Sequence, residues 1–80
     1  MIEQADGSLR VTVPMIIANA RALLEAGRGL LLSGKNTGLT LLDLAAVSEV
    51  DSSALSVVFA WLRTAGTGGI TLRVANPPAN

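Results

Sequence analysis

The spacing of apolar residues changes along this chain from a period of two to a period of about 3.6 and back. In residues 9–13 apolar side chains alternate with Arg10 and Thr12, as in a half-buried strand. A shorter run at residues 2–4 precedes Asp6-Gly7, a dipeptide favoured in tight hairpin turns. The chain is therefore predicted to begin with a β-hairpin.

Between Met15 and Ser33 the apolar residues follow a helical period. The stripe consists of Ile16, Ala20, Leu23, Leu24, Gly27, Leu30 and Leu31. A shorter helix followed by a separate strand at residues 30–32 is the alternative. Gly27 and Gly29 each cost a helix about 0.5–1 kcal/mol relative to Ala, but the stripe stays in register through both. We therefore favour one long helix, ended by Ser33-Gly34 and the Asn36-Thr37-Gly38 segment.

The second half of the chain repeats the order of strand and helix. Residues 39–44 are apolar on both faces, as in a central parallel strand. A helix is predicted from Ser53 to about Ala65, and residues 70–74 alternate as a last strand. This order predicts an α/β fold: a mixed sheet, parallel except for the hairpin, with helices packed on one face.

Length and charge limit the functions that are open to the chain. Eighty residues make one small domain, residues 1–80, which buries only about 60% of its unfolded surface. Six basic and six acidic residues give zero net charge, so nucleic acid is not an expected partner. No apolar run is long enough for a membrane span, and the polar N-terminus is unlike a signal peptide. We expect a soluble cytoplasmic domain without direct membrane insertion.

The chain also lacks most catalytic side chains. It has no Cys and no His, so thiolate nucleophiles, imidazole bases and nearly all transition-metal sites are excluded. Segment 29–36 resembles a phosphate-binding loop, but Asn36 stands where that loop needs Ser or Thr. Asp43 is interpreted as a carboxylate at the end of a strand, and Glu49 is interpreted as a solvated carboxylate. We expect no enzyme activity, no catalytic residues, no cofactor and no metal.

The start of the second helix carries the most informative polar residues. Asp51 is predicted to cap the helix, and Ser52 and Ser53 can also act as caps. The helix is apolar nearly all round. We expect one side of it to face the sheet: Leu55, Val58, Phe59 and Leu62. The opposite side, with Ala54, Val57 and Trp61, is either covered by the first helix or hairpin, or is an exposed patch that docks another protein.

The sequence V-D-S-S-A-L, preceded by L-D-L-A-A-V and followed by an apolar helix, resembles the signature of the STAS domain. The similarity is strongest over residues 39–77. This family includes anti-sigma-factor antagonists, cytoplasmic tails of sulfate transporters and the small STAS subunit of the Mla phospholipid ABC transporter. The family continues past the Asn76-Pro77-Pro78 segment with one or two more helices. Because this sequence stops there, we expect either that it is cut short, or that a partner or a second copy covers the last strand and one face of the sheet.

Within the family, L-S-V-V-F-A-W-L-R together with D-S-S-A is most similar to the small Mla (MlaB-like) subunit. This resemblance implies a non-catalytic accessory subunit that binds and stabilises the transporter ATPase and so supports outer-membrane lipid asymmetry. The contact residues would be Ser52, Ser53, Val57 and Trp61. The domain would be cytoplasmic and peripheral at the inner membrane through its partner.

The alternative is an anti-sigma-factor antagonist that binds an anti-sigma factor kinase and is switched by phosphorylation. In that branch the modified residue corresponds to Ser53, whereas in the Mla branch the implicated hydroxyl corresponds to Ser52. Ala54 stands where the antagonist signature usually has Gly. That departure weakens the expectation of a kinase switch more than it weakens the expectation of the fold.

Overall fold

The computed structural model describes residues 1–33 and 38–78, and its elements follow the predicted order. They are β1 (Ile2–Ala5), β2 (Ser8–Val11), α1 (Ile17–Leu32), β3 (Gly38–Asp43), α2 (Ser53–Thr67) and β4 (Ile70–Ala75). The single long helix α1 is confirmed, and it ends at Leu32 with Ser33 as its C-cap. The predicted break at Gly34 and Asn36-Thr37 lies outside the described residues.

The four strands form one mixed sheet in the order β1-β2-β3-β4. β1 and β2 are antiparallel and turn at Asp6-Gly7, where Gly7 has a φ of 74°, a conformation that glycine adopts without strain. β3 runs parallel to both β2 and β4. The predicted hairpin, the parallel pairing and the central place of β3 are therefore confirmed.

Both helices pack on the same face of the sheet, as predicted. The core lies between them and the sheet and consists of Leu9, Val11, Met15, Leu23, Leu31, Leu42, Leu44, Val47, Val57, Trp61, Ala65, Ile70 and Leu72. On β3, Thr40 and Leu42 are buried under the helices, whereas Leu39 and Leu41 point to the other face and are exposed. β3 is thus apolar on both faces, but only one face is covered by the described residues.

The expected orientation of α2 is wrong. Trp61 is 1% exposed and Val57 is also buried, so these two residues form no exposed docking patch. Leu55 and Phe59, which were expected to face the sheet, are instead 63% and 55% exposed. Val58 and Leu62, from the same expected stripe, are half-buried against the core.

The fit between Trp61 and α1 explains this orientation. A Cβ built on Gly27 would overlap the indole ring, so the ring occupies the space that the missing side chain leaves. The indole Nε1 donates a hydrogen bond to the Leu24 carbonyl oxygen at 3.2 Å. α1 therefore covers Trp61 and provides the acceptor for its indole N–H group. Burial against the first helix was one of the two alternatives for this side of α2.

Candidate functional site

The segments that precede the two helices are joined by backbone hydrogen bonds. The Met15 amide donates to the Glu49 carbonyl oxygen at 2.9 Å, and the Asp51 amide donates to the Met15 carbonyl oxygen at 3.2 Å. These bonds belong to an isolated parallel bridge between Met15 and Val50. They bring Asp51 beside the first turn of α1, so the two helices begin at the same end of the molecule.

The Asp51 carboxylate binds the starts of both helices. Its Oδ1 accepts hydrogen bonds from the Ser53 amide, at 2.8 Å, and from the Ser53 hydroxyl. Its Oδ2 accepts from the Ile17 amide at 2.9 Å. Amide groups at the starts of helices are otherwise unpaired, so one side chain satisfies a donor on each helix. The link to α1 was not predicted, because no local feature of the sequence marks it.

These bonds also set the charge of Asp51. The Ser53 hydroxyl, and then the Ile17 and Ser53 amides, lower the pKa of the Asp51 carboxyl from its ordinary value of 3.8. Each donor favours the ionised form. A negative charge is favourable at the N-terminus of a helix. Asp51 is therefore an ionised structural link near neutral pH.

Ser52 and Ser53 are adjacent in the chain but differ in their surroundings. Ser53 is half-buried, and its hydroxyl is engaged by Asp51. Ser52 is exposed and makes no side-chain capping hydrogen bond, although it immediately precedes α2. Ser52 is thus the more accessible of the two hydroxyls for a partner.

An open groove separates the N-terminal halves of the two helices, and we call it the helix groove. Its volume is about 470 Å³, and it is lined by Ile17, Ala20, Arg21, Leu24, Ser52, Ser53, Ser56 and Val57. Val57 contributes to the floor although it is buried, and Ile17 at the rim is 75% exposed. Of the predicted contact residues, the groove brings together Ser52, Ser53 and Val57, whereas Trp61 is not among its lining residues.

Ile17 was missed as a candidate contact residue. In the sequence it continues the apolar run that leads into α1, so it is indistinguishable from a core residue. Arg21 also lines the groove, and its Nε lies 3.8 Å from Glu25 Oε1. Both side chains are highly exposed, so this ion pair contributes little stability.

Asp43, at the carboxyl end of β3, has a structural role of its own. Its Oδ1 accepts from the Ala45 amide at 2.9 Å and from Asn76 Nδ2 at 3.1 Å, which ties the ends of β3 and β4 together. The Ala45 amide, followed by the Asn76 side chain, lowers the pKa of the Asp43 carboxyl. Neither Asp43 nor Asp51 thus has the raised pKa that a general acid needs near neutral pH.

Residues 1–33 and 38–78 offer neither a metal site nor a membrane span. These residues contain no cluster of three or more acidic side chains placed to hold a metal ion. None of their helices is both long enough and apolar enough to span a bilayer.

A family model described as "Mlab, STAS domain" matches residues 2–80. A search of curated proteins found no match. Among solved structures, a candidate anti-sigma factor antagonist from Thermotoga maritima is 21% identical, with a TM-score of 0.76. The match covers 99% of this chain and 68% of that chain.

Two more solved structures are similar. The anti-sigma factor antagonist SpoIIAA in its unphosphorylated form is 15% identical, with a TM-score of 0.74 over 98% of this chain and 73% of that chain. A larger protein, Mglu, is 21% identical, with a TM-score of 0.70 over 99% of this chain and 20% of that chain. These likenesses confirm the STAS fold, and the family match shows that the chain belongs to the MlaB-like STAS domain family.

Proposed function

We propose that the chain is a non-catalytic subunit that binds and stabilises the ATPase of a phospholipid ABC transporter of the Mla type. The name of the matching family supports this proposal. The observation that carries it is the helix groove, where Ile17 is 75% exposed beside the accessible hydroxyl of Ser52. In this function the domain is cytoplasmic and is held at the inner membrane by its partner, where it supports lipid asymmetry.

The groove has the make-up of a small protein interface. Its floor is apolar, with Ala20, Leu24 and Val57, and its rim carries serine hydroxyls and the Arg21 guanidinium. Protein interfaces commonly combine an apolar centre with a polar rim. Ser52, Ser53 and Ile17 would contact the ATPase directly. Trp61 would act indirectly, because its packing on Gly27 fixes the spacing of the two helices that form the groove.

Binding at this groove is enough to explain how the domain stabilises its partner. A ligand that binds only the folded state of a protein increases the free energy of unfolding of that protein by mass action. No reaction at the interface is needed. The lowered pKa values of Asp43 and Asp51 agree with this non-catalytic role.

Co-purification from the native cell tests the identity of the partner. The tagged domain is captured under mild conditions, and the bound proteins are identified by mass spectrometry. Recovery of a transporter ATPase, with its permease, is the expected result. Recovery of an anti-sigma factor kinase without the ATPase, or of neither protein, would overturn the proposal.

A second candidate function is an anti-sigma-factor antagonist switched by phosphorylation, and it rests on the geometry of Ser53. The Ser53 hydroxyl lies against the ionised Asp51 carboxylate. A phosphate on Ser53 would add a charge of about −1.5 to −2 beside that carboxylate. Phosphorylation replaces the hydroxyl proton that Ser53 donates to Asp51, so this hydrogen bond would be lost. The repulsion between phosphate and carboxylate would also disturb the start of α2, so the groove would change shape.

Phosphorylation in vitro distinguishes this candidate from the transporter subunit. An anti-sigma factor kinase encoded near the domain is incubated with wild type, Ser53→Ala and Ser52→Ala, and incorporated phosphate is measured. If the domain is an antagonist, the wild-type protein and Ser52→Ala should incorporate phosphate, whereas Ser53→Ala should not. Equal labelling of all three variants, or none, would count against a switch at Ser53.

A further inference from the structure

The helix groove continues along α1 and α2 as a second groove. The second groove has a volume of about 270 Å³ and is lined by Leu24, Arg28, Ala60, Arg63, Thr64 and Thr67. Leu24 lines both grooves. The two helices begin at the same end of the molecule and pack side by side where Gly27 meets Trp61. The two grooves therefore form one channel between the helices, which we call the interhelical furrow.

The furrow belongs to the two helices and the start of α2 alone. Its walls are residues 17–28 of α1 on one side and residues 52–67 on the other. No residue of β4, or of the segment that follows β4, lines either groove. Pro77 and Pro78 instead line a separate groove, together with Val58 and Val74. The furrow is thus defined by elements that the structure describes along their whole length.

Positive charge is concentrated in the interhelical furrow. Arg21, Arg28 and Arg63 line it, and they are three of the six basic residues of the chain. None of the described residues that line the furrow is acidic. The chain has zero net charge, so its acidic residues lie elsewhere and its surface is electrostatically uneven. A cleft lined by one sign of charge attracts a partner of the opposite sign.

Two of the three arginines have no acidic partner of their own. Arg21 lies 3.8 Å from Glu25, whereas neither Arg28 nor Arg63 forms an ion pair within residues 1–33 and 38–78. Both are exposed, and they stand on opposite walls of the second groove. A guanidinium has five N–H donors in a planar fork that matches a carboxylate. The second groove therefore offers one such fork from each helix to an acidic group.

The shape of the furrow suits a third helix. α1 has 16 residues and α2 has 15, so at 1.5 Å per residue the furrow is roughly 20 Å long. Ala20 and Ala60 are small side chains on facing walls, and Leu24 and Val57 provide apolar contact. An amphipathic helix that lays its apolar side in such a groove is a common form of protein recognition.

We infer that the interhelical furrow binds an acidic amphipathic helix of the partner protein. The apolar side of that helix lies on Leu24 and Val57, and carboxylates at its border pair with Arg28 and Arg63. The inference rests on the proposed function, which makes the partner the transporter ATPase. It adds the chemistry of the contact, and it extends the contact to two arginines beyond the helix groove.

Charge reversal in a binding titration tests the role of the arginines. Arg28→Glu and Arg63→Glu are each titrated against the purified ATPase beside wild type. Arg73→Glu is the matched control, because it makes the same charge change at an exposed arginine outside the furrow. Each furrow variant is expected to bind about tenfold more weakly or worse, and Arg73→Glu is expected to bind like wild type. Circular dichroism checks that all variants are folded.

Salt gives a second measure in the same titration. At about 1 M salt the screening length falls to about 3 Å, so wild-type affinity is expected to drop and the two furrow variants to change less. Furrow variants that bind like wild type at every salt concentration would overturn the inference and leave the proposed function standing. A wild type that does not bind the ATPase would overturn the proposed function, and the inference with it.

Cross-linking with a carbodiimide tests the acidic helix directly. This reagent joins a lysine amine to a carboxylate that touches it, and Arg28→Lys and Arg63→Lys introduce an amine while keeping the charge. Arg73→Lys is the matched control, and the single natural lysine gives the same background in every variant. Both furrow variants are expected to form new cross-links to Asp or Glu side chains of one helix of the ATPase, identified by mass spectrometry. The inference would be contradicted by a lack of new cross-links in an intact complex, or by cross-links to two separate segments.

Discussion

The two sides of α2 are both apolar, yet one is buried and the other faces solvent. Trp61 on the inner side is 1% exposed, and Phe59 on the outer side is 55% exposed. The difference comes from α1, where Gly27 leaves room for the indole ring and Leu24 accepts its hydrogen bond. Burial of a helix face therefore depends on a complementary surface elsewhere in the chain, and hydrophobicity alone does not determine it.

The largest expected effect comes from truncating the two aromatic residues in turn. Trp61→Ala removes a fully buried side chain and should lower the free energy of unfolding by about 3–5 kcal/mol, a large part of the stability of a small domain. Phe59→Ala, in dilute solution, should change it by no more than about 0.5 kcal/mol, because its ring is exposed. Urea denaturation followed by circular dichroism measures both values. Similar losses in the two variants would contradict the assignment of the two faces.

A pair of glycines in α1 tests the fit that buries Trp61. Gly27→Ala places a methyl group against the indole ring and should destabilise the fold by about 1–3 kcal/mol. Gly29→Ala is the matched control, since no atom lies near its added Cβ, and the better helix propensity of Ala should stabilise the fold by about 0.5–1 kcal/mol. Thermal melting of the two variants should show shifts of opposite sign. A Gly27→Ala variant as stable as wild type would show that the ring does not need this space.

The smallest effect concerns the anchoring of α2 at its start. The pKa of Asp51 is lower in the folded state, so its contribution to stability is complete well above pH 3.8 and is lost as the pH falls through the folded value. Asp51→Asn should therefore reduce the dependence of stability on pH below about pH 4. Glu49→Gln removes the same charge from an exposed neighbour and is the control. Urea midpoints measured from pH 2 to pH 6 would contradict this assignment if Asp51→Asn kept the wild-type slope.

The order and type of the elements could be predicted from the sequence because each depends on local periodicity and turn residues. The helical stripe through Gly27 indicated one long α1, and Asp6-Gly7 indicated the hairpin. The phase of α2 could not be predicted in the same way, because the helix is apolar nearly all round. A buried glycine in the α1 stripe was the available signal, since a missing side chain leaves room for a large one opposite.

The candidate site could be predicted only in part. The cluster of Asp51, Ser52 and Ser53 at the start of α2 is a local feature, and the structure places all three residues there. The bond from Asp51 to the Ile17 amide joins residues that are 34 positions apart, and periodicity gives no information about such a contact. For the same reason the sequence did not indicate Ile17 as a candidate contact residue. Of the two alternatives for Val57 and Trp61, the exposed patch is wrong, because both side chains are buried.

The most direct test of the proposed function is a calorimetric titration of the purified transporter ATPase with three forms of the domain. Ile17→Lys changes the helix groove and Phe59→Lys changes the opposite side of α2, and both replace exposed residues. We predict that wild type and Phe59→Lys bind with the same affinity, and that Ile17→Lys binds at least tenfold more weakly. Weaker binding by Phe59→Lys, with Ile17→Lys unchanged, would place the contact on the other side of α2 and contradict the account.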